Sequence, residues 1–125
     1  MTQTIARVFG VVFLLVGLLG LATTPFSLDG GLLLGLFPVN VVHNLVHLAF
    51  GVWGLVAGQT LAGATAYCRT AGIAYLALAV VGLVAPMGLG LVPLGGHDIW
   101  LHALLGLVLA ASGFVGQTRP VALRH

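Results

Sequence analysis

The sequence predicts an all-α membrane protein whose four transmembrane helices form two parallel helix-pair repeats of the same orientation, with both termini on the cytoplasmic side. Composition is the first observation behind this fold class. Of the 125 residues, 60% are hydrophobic and only 5% are charged, whereas a soluble domain carries about 25% charged residues. Because so few charged residues cannot cover the surface of a water-soluble protein, we expect most of the surface of this protein to face the lipid bilayer. A net charge of +2 is too small to indicate nucleic-acid binding.

Four apolar stretches are the second observation, because each approaches the roughly 20 residues that a membrane-spanning helix requires. They cover residues 5–23, 39–58, 67–85 and 99–116. We expect a single membrane domain over residues 1–125, with one repeat at 5–58, a second at 67–116 and a cytoplasmic tail at 117–125. The first stretch also resembles the apolar core of a cleaved signal peptide, but the duplication described below requires it to remain.

The few charged residues predict the orientation. Four arginines occupy positions that four crossings would place on one face of the membrane: Arg7, Arg69, Arg119 and Arg124. The two acidic residues, Asp29 and Asp98, fall on the opposite face. Because cytoplasmic segments are enriched in Lys and Arg, we expect a multi-pass protein of the cell membrane with cytoplasmic N- and C-termini.

An internal duplication is the third observation. One block recurs after 62 positions and pairs Arg7 with Arg69, Gly10 with Gly72 and Gly20 with Gly82 (69 − 7, 72 − 10, 82 − 20). A second block recurs after 55 positions and pairs Pro38 with Pro93, His47 with His102 and Gly51 with Gly106 (93 − 38, 102 − 47, 106 − 51). Each unit crosses the membrane twice, so both copies have one orientation and equivalent residues should lie at equal depth.

Small and polar residues recur at helical spacing along each predicted helix. The four stripes are Gly10, Gly17 and Gly20; His47, Gly51, Gly54 and Gly58; Gly72, Tyr75, Ala79 and Gly82; and Asp98, His102, Gly106 and Gly113. Helices in lipid associate through such small residues, so we expect the stripes to face one another. Asn40 and Asp98 are expected to cap the second and fourth helices, after apolar loops that dip into the outer leaflet.

A polar cluster near the outer face is the candidate functional site. It comprises Asn40, His43, Asn44, His47, Asp98 and His102. Hydrogen bonds from these side chains across the helix interface would suffice to explain them. Two alternatives are a metal ion such as zinc, bound by His43, His47, Asp98 and His102, and a haem bound axially by His47 and His102. A proton or small-solute pathway is a further possibility.

The same residues resemble a known family. The segment Phe37–Phe50, "FPVNVVHNLVHLAF", together with "HDIWLHALLG", is similar to the bacterial family catalogued as domain of unknown function 4383, with its Asn-x-x-His-Asn-x-x-His and Asp-x-x-x-His segments. The resemblance implies a small integral membrane protein of four helices and no known activity. We expect a structural or accessory membrane subunit, as a homo-oligomer or within a larger complex, and no enzyme. The alternative is a metal- or haem-binding membrane protein.

Overall fold

The computed structural model describes residues 1–116, so the predicted tail with Arg119, Arg124 and His125 lies outside the described residues. Within that range the chain is mostly helical. Its helices are α1 (Thr2–Thr23), α2 (Val41–Ala57), α3 (Leu61–Val84) and α4 (His97–Val115). Helices α1, α3 and α4 are long and apolar enough to cross a membrane. Helix α2 is shorter, with 17 residues, which is near the lower limit of about 17 for a spanning helix.

The starts of α2 and α4 differ in how they are capped. Asn40 caps α2 as predicted, because its side chain accepts a hydrogen bond of 2.9 Å from the backbone N–H of His43. The same prediction for Asp98 is wrong. The residue before α4 is Gly96, whose left-handed backbone (φ 63°) lets the chain turn into the helix there. Asp98 therefore lies within the first turn of α4, and its carboxylate is not the cap.

Helix α3 begins six residues earlier than predicted, at Leu61 and not at Tyr67 (67 − 61). Thr60 caps it by accepting a hydrogen bond of 3.0 Å from the backbone N–H of Gly63. The connection from α2 is consequently only residues 58–60. Tyr67 lies inside the helix, and its hydroxyl donates to the Phe50 carbonyl over 3.1 Å.

A short β-hairpin interrupts the loop between α1 and α2, and the sequence did not predict it. Strands β1 (Gly31–Leu33) and β2 (Phe37–Val39) are antiparallel. The turn between them places Leu34 (φ 54°) and Gly35 (φ 70°) in the left-handed region. Backbone N–H and C=O groups in apolar surroundings need partners, and the hairpin supplies some of them within the loop. The loop before α4 instead contains a 3-10 turn, Gly88–Gly90.

The helices pack mainly as two pairs, α1 with α2 and α3 with α4. The predicted small-residue stripes face inward, since every residue named in them is buried. Their close approach explains the glycines. A Cβ on Gly10 would lie 2.8 Å from the backbone nitrogen of Leu55, and a Cβ on Gly72 would lie 2.5 Å from that of Ala110. Large apolar side chains such as Leu15 and Val80 are exposed on the outer faces of the bundle.

Candidate metal centre

Three histidines meet in the interior, near the ends of α2 and α4 that follow the two apolar loops. His43 and His47 lie one turn apart on α2, and His102 faces them from α4. Their exposed fractions are only 3%, 7% and 2%. One ring nitrogen of each lies within 4.8 Å of the other two. The ring centroid of His43 lies 4.7 Å from that of His47 and 5.8 Å from that of His102. We call these three residues the histidine cluster.

Asp98 lies beside the histidine cluster, one turn before His102 on α4. Its Oδ2 atom is 3.8 Å from Nδ1 of His43, which is too long for a hydrogen bond. The carboxylate is nevertheless buried, with 2% exposure. The group of potential ligand atoms that all lie within 4.8 Å of one another consists of the three histidine nitrogens and does not include a carboxylate oxygen of Asp98. Its place is therefore next to His43, at the edge of the cluster.

Four buried polar atoms of this group have no hydrogen-bond partner within residues 1–116, although the His43 side chain also interacts with the backbone of Pro38 and Pro93. This applies to Nδ1 of His43, His47 and His102 and to Oδ2 of Asp98. Buried polar atoms in proteins are nearly always hydrogen-bonded. The cross-helix hydrogen bonds that would explain the cluster structurally do not form at these atoms. Imidazole nitrogen and carboxylate oxygen are ordinary ligands for a divalent transition metal.

The buried carboxylate of Asp98 also has no arginine beside it in the described part of the chain. Arg7 and Arg69 lie at the other ends of the helices, where Nε of Arg7 donates to the Gly58 carbonyl (3.0 Å) and Nε of Arg69 to the Gly113 carbonyl (2.8 Å). A buried charge is costly unless it is paired. A cation held by the histidine cluster would favour the ionised form of this carboxylate.

The two asparagines of the predicted set have other contacts. Nδ2 of Asn40 donates to the carbonyls of Leu28 (3.1 Å) and Leu91 (2.8 Å), which joins the loop before α2 to the loop before α4. Nδ2 of Asn44 donates to Oγ1 of Thr24 over 3.4 Å, and its side chain packs directly on Gly20. Asn40 and Asn44 thus stabilise the frame around the cluster.

The comparison with known protein families agrees with the resemblance of the Asn-x-x-His-Asn-x-x-His and Asp-x-x-x-His segments. The model of a family described as "Domain of unknown function (DUF4383)" matches residues 3–115. The chain belongs to this family. No curated protein and no solved structure matches it. The match covers α2, α3, α4 and all but the first residue of α1 in this DUF4383 protein, and it includes every residue of the histidine cluster.

An aromatic platform under the histidine cluster was only partly foreseen. In this DUF4383 protein the rings of Phe13 and Tyr75 stack with 5.1 Å between centroids, at 7° from parallel. Phe13 also stacks on His47 (5.7 Å, 2°), and Tyr75 contacts His102 (5.3 Å). The sequence analysis placed Tyr75 in a stripe but omitted Phe13. The duplication contained the signal, because Phe13 and Tyr75 differ by the same 62 positions (75 − 13).

A small cavity lies against the cluster, between α1, the β-hairpin and α4. Its volume is about 170 Å³, and His47, Asp98 and His102 form part of its wall. Pockets for cofactors and drug-sized molecules usually measure about 300–1,000 Å³. The space beside His47 and His102 is thus too small for the haem considered as an alternative.

The cysteine of the chain is remote from the cluster. Cys68 is buried and lies beside Gly113, eleven residues after His102 along α4 (113 − 102). At 1.5 Å per residue this separation is about 16 Å. Cys68 is consequently too far away to serve as a further ligand for an ion in the cluster.

Proposed function

We propose that this DUF4383 protein is a multi-pass protein of the cell membrane that binds one divalent transition metal ion, such as zinc, through His43, His47 and His102. The observation that carries the proposal is the convergence of three buried imidazoles within 4.8 Å, each with an Nδ1 atom that lacks a partner among the described residues. Zinc bonds nitrogen at about 2.0–2.1 Å, so tetrahedral ligands lie about 3.3 Å apart. Modest side-chain rotations would close the remaining gap.

In this proposal Asp98 supports the site from beside it. A carboxylate next to a metal-binding histidine commonly orients the ring and raises its basicity. Oδ2 of Asp98 lies 3.8 Å from Nδ1 of His43, so in this proposal a small rotation of the His43 ring on metal binding brings these two atoms within hydrogen-bond distance. Three histidine ligands leave one of four tetrahedral positions open, which is the arrangement typical of sites that exchange a fourth ligand.

We propose that the histidine cluster binds an ion without serving as the catalytic centre of an enzyme. Cys68 is too far from the cluster for its thiol to act there as a nucleophile. The bound ion would join α2 to α4 across the bundle interior. A metal link between two helices suits an accessory membrane subunit. The exposed apolar faces of the helices suit contact with lipid, a second copy or a larger membrane partner.

We also propose that the two helix pairs are copies with the same orientation. Equivalent contacts support this proposal. A Cβ on Gly51 would lie 2.8 Å from the backbone nitrogen of Leu14, and one on Gly106 would lie 2.8 Å from that of Leu76. These pairs are related by the shifts found in the sequence, 55 for the glycines (106 − 51) and 62 for the leucines (76 − 14).

The outer loops repeat a backbone feature that supports the same proposal. Leu34 and Gly35 have φ angles of 54° and 70°, and Leu89 and Gly90 have 59° and 79°. Each member of the second pair follows its counterpart by 55 positions (89 − 34, 90 − 35). A left-handed leucine is unfavourable, so its recurrence at equivalent positions favours descent from one unit.

The cytoplasmic location of both termini is likewise proposed. Arg7 and Arg69 bind carbonyls at the C-terminal ends of α2 and α4. In a four-span arrangement those ends share a face with the N-terminus. The enrichment of arginine in cytoplasmic segments favours the cytoplasm for that face.

Metal content tests the proposed function. Protein purified in detergent is dialysed against zinc and then against buffer, and zinc is measured by elemental analysis. We expect about one zinc per chain in the wild type and its loss in His47→Ala and His102→Ala. The matched control is His97→Ala, because His97 is exposed on the same helix as His102 and is not part of the cluster. Equal zinc content in all four proteins would refute the proposal.

A further inference from the structure

The histidine cluster is closed on the side that faces the middle of the bundle. Phe13 stacks on His47, and Tyr75 contacts His102. The two aromatic side chains are only 1% and 2% exposed, and their rings stack on each other. An ion that arrived from the far ends of the helices would have to part this buried stack.

The side of the cluster toward α1 and the hairpin is equally unsuited to the passage of an ion. The cavity of about 170 Å³ lies there, and its wall is almost entirely apolar. Side chains that line it, such as Val12 and Leu34, are exposed on the apolar outside of the bundle. A charged ion on this path would lose its water in apolar surroundings, which is costly.

The remaining side faces the loops before α2 and α4, and the path there is short. His43 follows Asn40, the cap of α2, by three residues, which is about 4.5 Å along the helix axis. A depression of about 240 Å³ lies at this helix start, between the two loops, and its lining includes Asp29, Met87 and Leu91. We call it the outer depression. Asp29 carries a negative charge there, which attracts cations.

Two residues contact the outer depression and the histidine cluster at once. Asn40 and Pro93 both line the depression. Oδ1 of Asn40 also accepts a hydrogen bond of 2.9 Å from the backbone N–H of His43, and the backbone of Pro93 interacts with the His43 side chain. Asn40 and Pro93 therefore form the partition between the depression and the nearest histidine.

Asn40 also ties the two loops together at this partition. Its Nδ2 group donates to the carbonyl of Leu28 in the loop before α2 and to that of Leu91 in the loop before α4. The side chain is only 1% exposed, so it fills the space between the loops. Separation of the loops over His43 requires that these hydrogen bonds break.

We infer that the metal ion enters and leaves the histidine cluster through the outer depression, and that the two hydrogen bonds from Nδ2 of Asn40 close this entrance. The inference rests on the proposed function, because it concerns the route to the proposed metal site. In the orientation proposed above, the ion comes from outside the cell. The loops must part only briefly, since the cluster begins one helical turn below them.

Asn40→Ser separates the closing role of this residue from its capping role. Serine caps a helix about as well as asparagine does, but it has no Nδ2 group and adds no charge. We expect zinc to dissociate into excess EDTA, and to associate with the zinc-free protein in stopped-flow mixing, at least about tenfold faster than in the wild type. Because both rates rise together, Kd should stay within about twofold of the wild-type value.

The matched control for this substitution is Asn44→Ser. Asn44 is also buried, lies one turn later on α2 and does not line the outer depression. Its Nδ2 group donates to Oγ1 of Thr24, so its loss leaves the tie between the two loops intact. Zinc exchange in Asn44→Ser should proceed at the wild-type rate.

A bulky group in the outer depression should slow zinc exchange. In a Cys68→Ser background, Met87→Cys places a thiol in the lining of the depression, where the side chain is 72% exposed. A maleimide that carries a bulky group should slow exchange at least about tenfold relative to the same protein labelled with N-ethylmaleimide. The control is Leu89→Cys, because Leu89 lies in the same loop, is 93% exposed and does not line the depression. The two labels should give equal rates there.

The two experiments can overturn the inference while the zinc content stays near one per chain. Equal exchange rates for the two labels on Met87→Cys would exclude the route through the outer depression. That result stands even if Asn40→Ser does not fold, because the labelled protein is folded before the reaction. A wild-type exchange rate in folded Asn40→Ser would exclude the closing role of Asn40. Wild-type protein without zinc would instead refute the proposed function.

Discussion

The rings of Phe13 and Tyr75 stack face to face, 5.1 Å apart and 7° from parallel. The two residues occupy equivalent positions in the proposed repeats (75 − 13 = 62). Each also contacts the histidine of its own repeat, Phe13 with His47 and Tyr75 with His102. The stack therefore lies where the two proposed repeats meet, and it contacts two rings of the histidine cluster.

Removal of one ring from this stack should destabilise the protein. Phe13 is 1% exposed, and truncation of a buried phenylalanine to alanine typically lowers the free energy of unfolding by about 3–5 kcal/mol. We expect Phe13→Ala to lower Tm in detergent by several degrees and to weaken zinc binding, since His47 loses its support. The control is Phe26→Ala, because Phe26 is 76% exposed in a loop. Equal Tm values for the two variants would contradict a supporting role for the stack.

The glycines between paired helices should not tolerate even a methyl group. A Cβ at Gly72 would lie 2.5 Å from the backbone nitrogen of Ala110, and backbone cannot rotate away as a side chain does. We expect Gly72→Ala to lower the free energy of unfolding by about 1–3 kcal/mol, measured by denaturation in mixed micelles. Gly10→Ala should have a similar effect at the equivalent position. Val80→Ala on the exposed face of α3 is the control and should change little.

The overall helical architecture could be predicted because apolar stretches and inward-facing glycines are long-range patterns that packing in lipid enforces. The family resemblance followed from a few polar residues at fixed spacing, and the family match confirms it. Asn40 could be recognised as a cap because its short side chain stands directly before an apolar helix. These features depend on one helix or one pair of helices at a time.

The features that were missed depend on local backbone geometry or on three elements at once. Asp98 looked like a cap, but the left-handed Gly96 starts the helix earlier. The sequence predicts a start of the third helix at Tyr67, whereas Thr60 caps the helix and α3 begins at Leu61. Strands of three residues in the β-hairpin are too short to show an alternating pattern. The sequence could not predict that Asp98 lies outside the group of three histidine nitrogens, because this depends on the relative position of α2 and α4.

The proposed orientation predicts which loops are accessible from outside the cell. In a Cys68→Ser background, Asp29→Cys should react with a membrane-impermeant maleimide in intact cells, because Asp29 is exposed in the loop between α1 and α2. Gln59→Cys, exposed in the connection between α2 and α3, should react only after the cells are lysed. Labelling of Gln59→Cys in intact cells with protection of Asp29→Cys would reverse the proposed topology.

The placement of Asp98 beside the cluster predicts a graded effect on zinc affinity. Loss of a carboxylate that orients a ligand typically weakens metal binding about 10–100-fold. We expect Asp98→Asn to raise the Kd for zinc by that factor, measured by competition with a chelating dye, and to retain one zinc per chain at saturation. Asp29→Asn is the control and should leave Kd unchanged. If Asp98→Asn binds no more zinc than His102→Ala does, Asp98 is itself a ligand.

The most direct test of the histidine cluster is X-ray absorption at the zinc edge. The protein would carry His125→Ala, so that the histidine of the tail outside the described residues contributes nothing. We predict three imidazole nitrogens at about 2.0–2.1 Å from zinc, together with one further light atom, and loss of this spectrum in His43→Ala, His47→Ala and His102→Ala. A spectrum with fewer than three imidazoles, or one that survives all three substitutions, would contradict the proposal that these histidines bind a metal ion.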